Sequence, residues 1–304
     1  MQNINNITIL FCEGPHDTAF LYRILKTKCY EVYNDTLSDL PKIIGEFIES
    51  KNKHSEYNKL KLEALKNEFV PYRILIKNNK LILIYSLGGD RDGREDDINK
   101  RLIILKHYFN DILSNVSDPN NFGEAFTSKE IDGNSFKYNF LFFYDADENK
   151  EEKIKICNKY LEKLGLEFKL EHNKIHKEEQ YSFGVYIFSN EEEKGALEDI
   201  LFGIMKKDNE TIFDEAKIYY DTHFDESRTK RLVTVCTEGQ AKDKRKDSKQ
   251  IDEKKSLIAI AGQLQKKGKS NVVVIEDSDY LNLEKIQNNA QLQEIASFIE
   301  SSIG

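Results

Sequence analysis

Three stretches of this chain limit its fold more than any other feature: "ITILF" at 7–11, "LILIY" at 81–85 and "FLFFY" at 140–144. Each is a nearly unbroken apolar, β-branched or aromatic run, with no alternation of apolar and polar positions. Strands of this kind are buried on both faces, which requires a mainly parallel sheet covered by helices. Two further runs, "YSFGVYIFS" (181–189) and "NVVVIED" (271–277), carry the same signal and are expected to be strands. Helical patterns fall between them at 16–27, 95–116, 150–164, 195–206 and 253–267, with a last one at about 283–302. Alternation of strand and helix predicts an α/β fold with a doubly wound sheet.

The chain of 304 residues can hold one large domain or two modest ones. A core at 1–200 is expected, with a Lys-, Glu- and Asn-rich helical insertion at about 29–79 (helical at 36–50 and 55–68). Residues 201–304 are expected to complete the sheet, with a linker-like stretch at 237–252 that overlaps a basic loop at 240–255. A Gly-, Asn- and Ser-rich loop is expected at 117–137. No apolar run is long enough to span a membrane, and the polar N-terminus shows no secretory signal. Four scattered cysteines without a C-x-x-C pair fit reduced thiols and a cytoplasmic location.

The chemistry gathers at strand ends. The first strand leads into "EGPHD", the second into "GGDRDG" and the third into "DADEN". Ligands of open parallel sheets sit beyond the carboxyl ends of the strands. Glu13, Asp17, Asp145 and Asp147 are therefore expected at one rim, beside a Gly88–Gly89 turn. Carboxylates crowded together repel one another unless a cation sits among them. Mg²⁺ takes hard oxygen ligands, often one or two carboxylates plus substrate phosphates. Taken singly, a D-x-D at a strand end is more often a turn or a helix cap.

In this order, "LFCEG", "YSLGG" and "FFYDADENKEE" resemble the motifs of the Toprim domain, the catalytic module of topoisomerases, bacterial primases and several nucleases. The resemblance covers about 7–28, 81–115 and 138–200. With Asp17 and "EEEKGALEDIL" (191–201), it looks more like nuclease-type members, including the OLD-family endonucleases and small stand-alone Toprim proteins. It implies a Rossmann-like sheet and a two-metal site for Mg²⁺ or Mn²⁺. Glu13, Asp145 and Asp147 would hold one ion; Glu13 or Asp17, with Glu198 or the next-best Asp199, would hold the other. It also implies a catalytic lysine late in the domain, for which Lys254 and Lys255 are the candidates. The chain is too short for a topoisomerase body and lacks a primase's zinc module. An ATPase, usual in OLD proteins, would have to be a separate subunit.

The function implied is metal-dependent hydrolysis of DNA or RNA, with defence against phage as one setting. The rival expectation is a Toprim fold that binds nucleic acid or nucleotides without chemistry, or is held inactive by an ATPase partner. The net charge of −8 does not attract a polyanion, so local basic patches or metal ions must offset it. One patch, between 242 and 269, holds ten Lys/Arg against four Asp/Glu. Lys244, Arg245, Lys246, Lys266, Lys267 and Lys269 are its candidates for contact with nucleic acid, a solvated face being the alternative. "GQLQKKGKS" (262–270) imitates a phosphate loop but follows a helix and precedes a strand, the wrong context. His172 and His176, spaced as one helical turn, lack a third metal ligand and read as a solvated face; His16 reads equally as a phosphate contact or a helix cap. The aromatic residues lie mostly in the apolar strands and read as core.

Overall fold

The computed structural model of the chain describes residues 4–33, 35–51, 69–88, 95–115, 136–237, 240–246 and 252–303. They form two units, one of Met1–Leu197 with Leu283–Gly304 and the other of Glu198–Asn282.

The first unit is a seven-stranded, mostly parallel sheet flanked by helices. Strands β1 (Asn6–Cys12), β2 (Glu31–Val32), β3 (Arg73–Lys77), β4 (Lys80–Ser86), β5 (Lys137–Asp145), β6 (Lys174–Lys177) and β7 (Tyr181–Phe188) lie in the order β2-β3-β4-β1-β5-β7-β6. The four central strands, β4-β1-β5-β7, run parallel, and antiparallel partners close both edges. The helices are α1 (Pro15–Thr27), α2 (Lys42–Ser50), α3 (Glu95–Asn115) and α4 (Lys150–Lys163), with two more at the end of the chain. Every residue of β1 is buried, as the continuous run requires. Phe11, Phe142 and Tyr160 stack in series, with centroids 5.2 and 5.8 Å apart, so these rings are core.

The second unit contains α5 (Leu197–Lys206, whose first residue belongs to the first unit), α6 (Glu210–His223), α7 (Glu226–Thr229), a hairpin of β8 (Arg231–Thr237) and β9 (Gln240–Lys246), α8 (Glu253–Gln265) and α9 (Asn271–Asp277). Its core forms around Phe213, Leu257, Ala261, Val274 and Tyr280, all buried. Returning to the first unit, the chain ends in α10 (Leu283–Asn288) and α11 (Ala290–Ile303), the latter against β5, β6 and β7.

Several expectations are corrected. The run at 271–277 is the helix α9, not a strand, and among the described residues the C-terminal part adds no strand to the large sheet. Its Val274 and Ile275 are buried, and Val274 lies so close to Gly262 of α8 that a Cβ there would sit 2.5 Å from its Cγ2. A helix seated on a glycine of its neighbour overrides the β-branched preference of the sequence. The insertion at 29–79 is not only helical, since it contributes β2 and β3 to the sheet edge. Its proposed helix at 55–68, Gly89 and nearly all of the 117–137 loop lie outside the described residues. Part of the 237–252 linker is strand β9. "GQLQKKGKS" joins two helices. The four cysteines are free, and among the described residues no helix is long and apolar enough to cross a membrane.

His172 and His176 are not on a helix. His176 lies in β6, stacked on Phe168 at 3.6 Å, and His172 Nδ1 accepts from the Ile187 amide at 3.1 Å. Burial, with the Lys150 charge adding to it, holds the His172 imidazole down from 6.5 to about 4. Between those values the unfolded chain binds more protons than the native one, so stability rises with pH. Acidification from about pH 6.5 to about pH 4 should therefore weaken the wild type with the slope of up to one proton. His172→Asn, whose side-chain oxygen can accept the same amide, should flatten that limb in urea unfolding at pH 7, 6 and 5. An unchanged slope in the variant would refute the assignment.

Candidate active site at the carboxyl rim of the sheet

Register sets the geometry. Cys12, the last residue of β1, pairs with Ser86 of β4 and with Phe143 of β5. Glu13 therefore leaves the sheet at the level of Leu87 and Tyr144, one residue short of Asp145. The Leu87 amide donates to the Cys12 carbonyl at 3.1 Å, bringing the turn at Gly88 to the same rim. Gly88 has φ +81°, a conformation that favours glycine.

Asp145 ends β5, and one of its oxygens accepts from the Leu197 amide at 2.8 Å. Asp147 takes a left-handed conformation, φ +48°, which breaks the pleat. Paired backbone bonds with Gly195, at 2.8 and 2.7 Å, hold it there. The turn carries the Asp147 carboxylate back toward Glu13. Lys153 of α4 lies between them, its Nζ 2.6 Å from Asp147 Oδ2 and 3.4 Å from Glu13 Oε1. The side chains of Lys153 and Glu13 are each 13% exposed, whereas that of Asp147 is 63% exposed. Two acids from different strand ends thus share one cation position.

Burial pushes the Glu13 carboxyl above its ordinary range, opposed by the Lys153 ammonium and reinforced by Asp147. For Lys153, burial alone would favour loss of the proton, but Glu13 and Asp147 outweigh it and hold the ammonium above its ordinary value. Arg101 of α3, fully buried, donates to the Gly88 carbonyl and lies 5.1 Å over the Tyr144 ring. Its charge adds a smaller downward pull on Glu13.

Asp17 takes another role. Buried at the start of α1, it accepts from the Gly14 amide at 2.8 Å and closes the helix end. Gly14 itself is extended, φ −133°, and a Cβ there would make only ordinary contact with Asp17, so the turn does not require a glycine. His16 follows in the first turn of α1, half-buried. The expected convergence is therefore narrower: Glu13 and Asp147 meet around one cation, Asp145 is tied to a backbone amide, and Asp17 caps its helix. Among the described residues no group of three or more acidic, His or Cys side chains is arranged to hold a metal.

Glu198 and Asp199 belong to the second unit, as do Lys254 and Lys255. There the four pair off. Lys254 bonds Asp199, and Lys255 lies 3.4 Å from the buried Glu198 and 3.6 Å from Asp252. The basic patch divides between two elements of that unit. Lys244, Arg245 and Lys246 are in β9, while Lys266, Lys267 and Lys269 are in the connection from α8 to α9.

Lys153 and Arg101 are not singled out by any motif. A lysine four residues into a helix reads as solvated, and the signal that could have found it was the pair of acids needing a counter-charge. Comparison of the chain with protein-family models, curated proteins and solved structures returns no match.

Proposed function

We propose that this chain is a divalent-cation-dependent nuclease that hydrolyses phosphodiester bonds of DNA or RNA at the carboxyl rim of its parallel sheet. One observation carries the reading: Glu13 and Asp147, from separate strand ends, converge on a single cation position, which Lys153 marks with its ammonium. The donor set fits Mg²⁺ or Mn²⁺, because two hard carboxylate oxygens are what such an ion takes when phosphate supplies the rest of its shell. A bound ion would lower the pKa of a coordinated water and stabilise charge on the reacting phosphate. Glu13 and Asp147 would hold the ion, with Asp145 as the next carboxylate on the rim. Lys153 supplies the positive charge that a phosphodiester needs among so many acids.

The same ammonium favours one other reading, a Toprim-like fold whose cation position is satisfied internally and which binds without turnover. The test is incubation of the purified protein with plasmid, linear DNA and transfer RNA, with Mn²⁺ and with EDTA. Cleavage that needs the metal and stops with EDTA is expected. Binding without cleavage of any of the three would favour the second reading and overturn the first.

A further inference from the structure

Lys153 stands where a lysine gains nothing from its own helix. α4 begins at Lys150 behind the cap residue Asn149, so Lys153 lies at the end of the first turn. A cation there opposes the helix dipole, whereas Glu151 and Glu152 complement it. The side chain nevertheless folds back over the strand end to meet Asp147 Oδ2 at 2.6 Å and Glu13 Oε1 at 3.4 Å. The two oxygens are thus no more than 6.0 Å apart, the sum of those contacts, and Nζ touches both. A magnesium ion bonded to both at about 2.0–2.1 Å would need them closer still, with itself in the middle.

We propose that Lys153 is the resident cation of this site: its ammonium occupies the position between Glu13 and Asp147 that a divalent ion takes, and the ion binds by displacing it. The inference rests on the cation-dependent reading given above. In the metal-free protein the ammonium offsets repulsion between the two acids. Entry is from the side of Asp147, whose side chain is the exposed one of the three. Once displaced, the ammonium stays tethered at the rim, beside the ion and facing solvent, where an incoming phosphate draws it. The site is then set against weak occupancy, because each ion bound must replace a charge the fold already supplies.

The experiment is calorimetric titration with Mn²⁺ of the wild type, Lys153→Met and the double variant Lys153→Met/Asp147→Asn. In parallel, the labelling of Lys153 in the wild type by an amine-reactive reagent is measured by mass spectrometry. Lys153→Met should bind Mn²⁺ about tenfold more tightly than the wild type or better, and the double variant should lose that gain. In the wild type, Mn²⁺ should raise Lys153 labelling severalfold over a sodium chloride control of equal ionic strength. The labelling arm needs no variant to fold. Mn²⁺ binding that is no tighter in Lys153→Met, with labelling unchanged, would overturn the proposal and leave the nuclease reading standing. Absence of Mn²⁺ binding in both the wild type and Lys153→Met would overturn both.

Discussion

Glu13→Gln is expected to lower metal-dependent cleavage by about a thousandfold or more while leaving the metal-free protein at least as stable as wild type near neutral pH. The two effects separate because of where Glu13 sits. Its side chain is 13% exposed, so ionising it has a desolvation cost that raises its pKa, and Lys153 offsets that only in part. Above an unfolded value in the ordinary glutamate range, the native state holds the proton more tightly than the unfolded chain does. Metal-free wild type should therefore lose stability as pH rises from that value through the raised native one. Glutamine keeps the shape and removes the titration, so this loss should be absent from the variant. Lys153 keeps its 2.6 Å contact with Asp147. A residue kept for the fold would behave in the opposite way, losing stability when neutralised. The measurements are initial cleavage rates with Mn²⁺ and urea midpoints at several pH values in EDTA. Activity within about tenfold of wild type would remove Glu13 from the chemistry.

The fold could be read where burial on both faces wrote an unambiguous pattern. Strands β1, β4, β5 and β7 were visible because each is a continuous apolar run, which only a covered parallel sheet tolerates. The same rule failed at 271–277, because a short apolar run does not distinguish a buried strand from a buried helix. What decides there is Gly262, whose missing side chain admits Val274, a tertiary fact. The rim acids were visible as residue types, but their roles were not. Asp17 and Asp147 look alike in sequence, yet one turns inward to cap α1 and the other is swung out by a left-handed backbone. Lys153 was hidden because its partners come from another strand and from the turn after β5, 140 and six residues away. The His172–His176 spacing misled because a four-residue interval means one turn only inside a helix, and this segment is strand and turn.

Asn139→Leu should destabilise the first unit by about 3–5 kcal/mol, well above the usual cost of a single substitution. Asn139 is the one side chain with a carboxamide in the otherwise apolar and aromatic run of β5, and it is fully buried. It donates to Asn6 Oδ1 at 2.8 Å and to Thr8 Oγ1 at 2.9 Å, and accepts from Ser182 Oγ at 2.7 Å. Asn6 passes the connection to the Ile303 carbonyl at the end of α11, at 3.2 Å. Leucine has a similar volume, so the cost is not a cavity but the loss of one hydrogen bond each by Thr8, Ser182 and Asn6, all buried, with Thr8 left its longer bond to Asn6 Oδ1 at 3.3 Å. Adding Ser182→Ala should recover part of the loss, since it removes the hydroxyl that donated to Asn139; the double variant should cost less than the two single ones together. Urea unfolding followed by tyrosine fluorescence and circular dichroism reads both, and a cost below about 1 kcal/mol for Asn139→Leu would show that the network does not fix the sheet. Thr8, Asn139 and Ser182 are direct partners in the β1–β5–β7 register. A slip of one residue would break this polar row and turn every side chain to the other face. That register also ends β1 with Glu13 beside Tyr144 and ahead of Asp145, so the polar row at one end of the sheet places the acids at the other. Asn139→Leu should therefore reduce cleavage as well as stability, and Ser182→Ala in the same background should restore part of both.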